Sequence, residues 1–458
     1  MKRKLFGTDG IRGKANIYPM TGEIAMALGR AVTYYFQNKG SMNVNRTSPV
    51  IIIGKDTRLS CYMIEQAFAA GVCSQGGQAI FTGPLPTPGV AFVTASMRAD
   101  AGVMISASHN SFEDNGIKIF DRTGHKLGDD VELELENLIL NQDLLMEKLG
   151  AEVGRAKRID DVMGRYIVHA KGTYGLEKSL EGLRIVVDCA NGAGYKVAPT
   201  IFEELGAEVI ALGVNPNGTN INFSCGALHP DHCAKAVLDY RADLGVCLDG
   251  DGDRLIIVDE KGKVIEGDKI IGMLSNYLLC RDQLENKSVI GTVMSNVGLE
   301  KYLKKKKINF TRTKVGDRYI VEEMLQTGAM FGGEPSGHLI IKKHSTTGDG
   351  ILAALKVIEC CQYFKKSLSE LTSEIVLFPQ ILKNVKVKQK IPFDQLDTVQ
   401  ERVKAAREKL GSDGRVLLRY SGTEKLARVM VEGPSEATIH EISSDIAQAL
   451  EKDMGLIQ

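Results

Sequence analysis

One pattern recurs three times along this chain and restricts the folds open to it. A short run of apolar, largely β-branched residues breaks into a loop of small and polar residues, and an amphipathic stretch then leads to a second apolar run. The first copy passes from residues 50–53 into GKDTR, through a helix from about Ser60, to residues 78–81 and the loop GPLPTP. The second passes from 183–188 through CANGAG to 208–212, and the third from 288–293 through MSN to 308–311. A continuous apolar strand is one buried on both faces, and a crossover helix returns the chain to lie parallel beside it. The repetition predicts three similar α/β modules. Ahead of the first, Thr21 is placed to cap a helix, with Ile24, Ala27, Leu28, Ala31 and Tyr35 at helical spacing and an end by Gly40. The last segment differs, with strands expected at 385–387, 415–419 and 427–432 and helices at 396–410 and 436–452. That suits a small α+β domain with its helices on one face.

The length of 458 residues exceeds one ordinary core and sets a prior of about three domains. Lys plus Arg and Asp plus Glu both number 57, so no net field draws the chain to nucleic acid or to an acidic membrane. Met1 to Lys4 is basic, but GTDGIRG follows Leu5 and Phe6 at once, so a signal-peptide core is not expected, and no apolar run reaches spanning length. The nine cysteines are odd in number and form no C-x-x-C pair, which fits reduced thiols and a cytoplasmic location.

Chemistry concentrates at the ends of the apolar runs. ISASHNSFEDNGIKIF, at residues 105–120, follows the apolar run 101–105 with side chains small enough to let a ligand approach the backbone. Ser108 is the candidate nucleophile, beside His109 and Asn110 and ten residues before Lys118. A serine hydroxyl is inert at its free pKa and needs a base, a metal or prior modification. LGVCLDGDGDR, at residues 244–254, sets Asp249, Asp251 and Asp253 at alternate positions. Alternate strand residues lie roughly 6.6 to 6.8 Å apart, whereas ligands of one Mg²⁺ must lie within about 4.2 Å of each other. The backbone must therefore curl, which Gly250 and Gly252 permit. An EF-hand loop is rejected because its obligatory glycine is Arg254. A phosphatase using Asp249 as nucleophile stays open as the alternative.

Three further loops carry ligand-binding groups. GGEPSGH, at residues 332–338, offers Glu334, Ser336 and His338 for sugar hydroxyls. RYSGTEKLAR, at 419–428, combines Arg419 and Arg428 with Ser421, Gly422 and Thr423, the usual means of holding a phosphate dianion. KVGDRY, at 314–319, adds Lys314 and Arg318, while the basic run 304–307 reads as solvated surface.

FGTDGIRG, ASHN, DGDGDR, GGEPSGH and RYSGTE, in this order and over nearly the whole chain, resemble the α-D-phosphohexomutase superfamily. FGTDGIRG, ISASHN with DNGIK, CGALHP and TKVGDRY make it most similar to the phosphoglucosamine mutase branch of bacteria. The resemblance implies three α/β modules with mixed sheets and a C-terminal α+β domain, four domains around a central cleft. Their expected limits are 1–152 with the phosphoserine, 153–257 with the metal, 258–377 with the sugar site and 378–458 with the phosphate site. It implies interconversion of glucosamine 6-phosphate and glucosamine 1-phosphate, feeding UDP-N-acetylglucosamine and cell-wall precursor synthesis. By the same carry-over Ser108 becomes phosphoserine and, with Asp249, Asp251 and Asp253, holds Mg²⁺. Arg12, Lys118, Arg254 and His338 match positions near the reacting phosphoryl group, with Lys118 as general base. Glu334 and Ser336 match sugar contacts, and Arg419, Ser421, Thr423 and Arg428 match the phosphate clamp. Glucosamine 1,6-bisphosphate or glucose 1,6-bisphosphate is the implied activator. The expected partner is a phosphosugar, with no nucleic acid and no membrane, and a homodimer is compatible with the resemblance. Phosphoglucomutase or phosphomannomutase activity is the nearest alternative. The chain departs from the branch at Pro335, where Gln is common, and at Tyr420 and Lys425, where prolines are common.

Overall fold

The computed structural model describes residues 4–7, 9–39, 46–142, 145, 148–175, 177–420 and 425–454. Each of the three repeated patterns forms a sheet with a parallel centre. In the first, Ala101–Ile105, Val50–Lys55, Gln78–Pro84 and Arg155–Arg158 run parallel. In the second, Leu244–Leu248, Arg184–Asp188 and Glu208–Leu212 do so, and in the third Phe331–Gly333, Ser288–Thr292 and Asn309–Thr313. The helices Gly22–Asn38, Ser60–Ser74 and Glu436–Met454 lie where the apolar spacing puts them, and Thr21 accepts from Ile24 N at the first N-terminus.

Every module also carries an antiparallel strand; Leu255–Val258 reads as a strand in the sequence, whereas the apolar pattern hides Asp114–Asp121. Asp114–Asp121 returns beside Ala101–Ile105, Leu255–Val258 beside Leu244–Leu248, and Leu339–Ile341 beside Phe331–Gly333. The strand Asp114–Asp121 buries Asn115 and Lys118, and polar residues at inward positions break the period-2 signal. The sheets are therefore mixed. A consequence for the site is that residues 106–113, 249–254 and 334–338 are hairpin connections leaving the carboxyl end of a strand, where open α/β sheets bind ligands.

The C-terminal sheet is wholly antiparallel, ordered Gln380–Lys386, Leu426–Glu432, Arg415–Tyr420. Its first strand starts five residues before the expected 385–387, because it is an edge strand in which Gln380, Lys383 and Asn384 interrupt the apolar pattern. Helices Asp397–Leu410 and Glu436–Met454 pack on this sheet to enclose a separate core that includes Val399, Val429 and Ile446. One continuous core instead joins the other three sheets, reaching from Ile52 and Phe120 through Val187 and Val246 to Val289 and Phe331. The first sheet takes its last strand from Arg155–Arg158 and the second from Val264–Ile265. We therefore propose domain limits a few residues beyond the 152 and 257 expected. Among the described residues no helix is long and apolar enough to cross a membrane.

Candidate active site

Ser108 follows the end of Ala101–Ile105 in a left-handed backbone conformation, φ 54°. Its Oγ lies 2.6 Å from Asp249 Oδ2 and 3.3 Å from His109 Nδ1. The serine loop and the aspartate loop are thus in direct contact, although 141 residues separate these two side chains in sequence. The aspartate loop curls as the spacing argument requires: Gly252 has φ +69°, and carboxylate oxygens of Asp249, Asp251 and Asp253 lie within 4.8 Å of one another. Gly250 is needed for a different reason, since a Cβ there would stand 2.5 Å from Ser108 O.

Three buried carboxylates at this separation destabilise one another. Burial, then Asp253 and Asp251, holds Asp249 well above the usual carboxylate range. Asp251 Oδ1 and Asp253 Oδ1 are buried without a hydrogen-bond partner among the described residues. Hard oxygen donors, converging and unsatisfied, fit a hard divalent cation. Asp251 is also fixed from outside the loop, because Thr87 Oγ1 donates to its Oδ2 at 2.6 Å and Thr87 N to its carbonyl at 2.8 Å.

Lys118 faces this cluster from its antiparallel strand, with Nζ 2.8 Å from Asp251 Oδ2 and 3.2 Å from Asp253 Oδ2. Opposing effects set its pKa. Burial alone would lower it, but Asp251, Asp9 and Asp253 lift the ammonium well above its ordinary value. His109 shows the opposite balance, since burial and the guanidinium groups of Arg254 and Arg12 push it down to about 4. The neutral nitrogen beside Ser108 is therefore imidazole.

A cavity of about 580 Å³ opens over Ser108 and is lined by Arg12, Asp253, Arg254, Glu334 and His338, all expected, and by Asp9, Lys126 and Asp317. Lys126 Nζ bridges Asp9 Oδ1 at 2.5 Å and Asp317 Oδ2 at 2.6 Å, joining the first module to the third. Gly348 N donates to His338 Nε2 at 3.1 Å, while Nδ1 faces Asp253 Oδ1 at 3.6 Å. Glu334 accepts from Gly316 N at 2.9 Å and from Ser336 Oγ at 3.3 Å.

Not every expected residue reaches the cavity wall. Arg318 turns away to pair with Asp129 and with Glu132 Oε1, the latter at 2.7 Å, and so joins the third module to the first. Lys314 Nζ lies over the Tyr319 ring. Arg419 and Arg428 are cross-strand partners at the mouth of the C-terminal hairpin. Burial and the neighbouring Arg428 lower the pKa of Arg419, and Glu334 is near enough to oppose them. Ser421, Gly422 and Thr423 lie outside the described residues. Tyr420 braces the base of that hairpin without a proline, donating to Ile391 O at 2.5 Å and stacking on Phe393.

Comparison with known proteins places this arrangement. Models of the phosphoglucomutase/phosphomannomutase family match domain by domain, with alpha/beta/alpha domain I over residues 3–146, domain II over 165–262, domain III over 266–377 and the C-terminal domain over 382–449. The phosphoglucosamine mutase of Geobacter sp. (strain M21) is 51% identical over 454 residues, covering 99% of this chain and 99% of its own. The chain belongs to the phosphoglucosamine mutase family. Among solved structures, a phosphoglucomutase/phosphomannomutase family protein from Burkholderia thailandensis shares the fold at TM-score 0.81 and 22% identity, over 98% of this chain and 97% of that one. The Aspergillus fumigatus N-acetylphosphoglucosamine mutase in complex with GlcNAc-6P and magnesium matches at TM-score 0.69 and 17% identity, over 99% and 96%.

Within this family's fold, sequence reasoning passed over several groups that line or support the cavity. Asp9 and Asp317 lie within FGTDGIRG and KVGDRY, motifs whose arginines carry the more recognisable phosphate-binding signal. Thr87 was hidden in the loop GPLPTP, which opens the helix Thr87–Ser96. Lys126 carries no local signal, because its two carboxylate partners come from the other end of its own module and from the third module.

Proposed function

We propose that this chain interconverts glucosamine 6-phosphate and glucosamine 1-phosphate, with Ser108 carrying a phosphoryl group between the two. The observation that carries the reading is the 2.6 Å contact of Ser108 Oγ with the three-aspartate loop, at the floor of a cavity that Glu334 also lines. The Aspergillus fumigatus relative, in complex with GlcNAc-6P and magnesium, supports a phosphosugar and Mg²⁺ as the ligands. Asp249, Asp251 and Asp253 would hold Mg²⁺ together with an oxygen on Ser108. Mg²⁺ there supplies charge neutralisation to a phosphoryl group that is otherwise a poor electrophile.

The remaining work falls to side chains. Phosphoserine at Ser108 gives its phosphoryl group to the free hydroxyl of the sugar phosphate: the bond from serine oxygen to phosphorus breaks and one from sugar oxygen to phosphorus forms. The sugar hydroxyl proton is transferred to the departing serine oxygen, and neutral His109 at 3.3 Å is the group able to relay it. Lys118, held as an ammonium, offsets the negative charge of the aspartate loop and of the phosphoryl oxygens. The bound bisphosphate then turns over, so that its other phosphate is returned to Ser108 by the same steps. Arg12 and Arg254 meet the transferring phosphate. Arg419 and Arg428, whose mutual repulsion an anion relieves, hold the distal phosphate with Ser421, Gly422 and Thr423. Glu334 and Ser336 accept sugar hydroxyls in either orientation. Closing the cleft excludes water, which would otherwise compete for the phosphoryl group.

The test is a comparison of kcat/KM for glucosamine 6-phosphate, glucose 1-phosphate and mannose 1-phosphate, each with a hexose 1,6-bisphosphate present. Preference for the amino sugar is expected, with measurable turnover of the glucose phosphate. If either hexose is preferred, the substrate assignment fails.

A further inference from the structure

The motif GKDTR, which ends the strand Val50–Lys55, has no role in the chemistry above, yet its arginine is fully buried behind the reactive serine. Asp56 organises the motif. It accepts from Arg58 Nε at 2.8 Å, from Arg58 N at 2.9 Å and from Ser106 Oγ at 2.6 Å, and Ser106 Oγ in turn accepts from Ser108 N at 2.9 Å. With Nε so fixed, the other guanidinium nitrogens gather backbone carbonyls of the serine loop. Nη1 donates to Ser111 O and, at 3.1 Å, to Asp114 O. Nη2 donates to Ser108 O and Asn110 O, each at 2.9 Å.

A second donor reaches the same two carbonyls from another domain. Asn222, on the loop after Glu208–Leu212, donates through Nδ2 to Ser108 O and to Asn110 O, again at 2.9 Å each. Two carbonyls with two lone pairs apiece meet two nitrogens with two hydrogens apiece, so all four sites are matched. Carbonyl oxygens only accept, which fixes the orientation of the Asn222 amide. Gly250 closes the third side, where a Cβ would stand 2.5 Å from Ser108 O. Between these contacts Ser108 holds φ 54°, a conformation that a serine adopts when its surroundings over-determine it.

We propose that Arg58 and Asn222 are positioning residues that grip the Ser108 loop from two domains, so that its hydroxyl is aimed at Asp249 only while the second domain is docked on the first. The proposal rests on Ser108 being the phosphoryl carrier. Neither residue lines the cavity over Ser108, so their effect falls on the alignment of the transferring atom rather than on sugar binding.

The test uses Asn222, since loss of a fully buried arginine leaves Asp56 without its counter-charge and the fold at risk. Asn222 itself has φ 58°, which glycine and aspartate also tolerate. Asn222→Gly removes both donors, and Asn222→Asp keeps the shape but presents oxygen to oxygen. Both variants are expected to lose roughly 10- to 100-fold in kcat, the scale of a misplaced reacting group, with KM within about twofold; the thermal midpoint is little changed in Asn222→Gly and falls in Asn222→Asp, which buries a carboxylate against two carbonyls. Amide hydrogen exchange should quicken over residues 106–111 and not elsewhere. Wild-type kcat and exchange in both variants overturns the proposal, as does a raised KM at unchanged kcat, or a loss of activity in Asn222→Gly that merely follows a fallen midpoint. If exchange quickens in the variants while the wild-type protein turns over no phosphosugar, the grip on the loop stands and the activity assigned to Ser108 fails.

Discussion

Replacing Asp268 by asparagine should flatten the dependence of stability on pH. Asp268 lies in the first turn of helix Gly267–Cys280, where the third module meets the C-terminal sheet. Its Oδ2 accepts from Asn296 N at 2.9 Å, and its Oδ1 has no partner among the described residues. Burial raises its pKa most and Glu432 adds to this, while the Asn296 amide, Arg312 and Arg415 pull the other way. The result is about 7. Against an unfolded value near 3.9, the shift is about three units, or about 4 kcal/mol at 1.36 kcal/mol per unit. The folded state binds the extra proton, so this stabilisation is complete below about pH 4, declines as the unfolded chain alone ionises, and is gone above about pH 7. Asp268→Asn stays neutral throughout. Calorimetric midpoints for wild type and variant at pH 5, 6, 7 and 8 should show the variant gaining on the wild type up to about pH 7 and levelling off by pH 8, by about two of the three units or about 2.7 kcal/mol, which is roughly 5 to 10 °C for a domain of about 150–250 residues. A difference between the two proteins that stays constant from pH 5 to 8 would refute the reasoning.

Removal of divalent cations with EDTA should abolish turnover and Mg²⁺ should restore it, with no requirement for zinc, because three carboxylates form a hard donor set; full activity in rigorously cation-free protein would contradict this. Arg318→Ala should cost about 2 kcal/mol, the scale of charge-assisted hydrogen bonds, seen as a lower thermal midpoint with KM changed less than twofold. A tenfold higher KM at unchanged stability would instead make Arg318 a substrate contact.

The parts of the fold that were legible in the sequence are those where burial and local period agree. The runs at 50–53, 183–188 and 288–293 are dominated by apolar, largely β-branched residues because both faces of their strands are covered, and each overlaps a central strand, Val50–Lys55, Arg184–Asp188 or Ser288–Thr292. Asp114–Asp121 was not legible as a strand, since Lys118 points inward to carboxylates rather than to a core. The same limit applied to the site. The curl of the aspartate loop followed from like charges and glycines, both local. The upward pull on the pKa of Lys118 comes from Asp251 and Asp9, which no local pattern brings beside it. The outward turn of Arg318 depends likewise on Asp129 and Glu132 of another module. GKDTR was visible as a motif, but four carbonyls waiting for one guanidinium are a property of the folded backbone alone.

The most direct measurement of the central claim is a phosphopeptide map of the protein after exposure to a hexose 1,6-bisphosphate, followed by a chase with glucosamine 6-phosphate. The account predicts a single phosphoryl group on Ser108, stable to hydroxylamine, that the chase transfers to the sugar. A hydroxylamine-labile phosphoryl group on Asp249 with Ser108 unmodified would contradict it, and would make the aspartate rather than the serine the carrier.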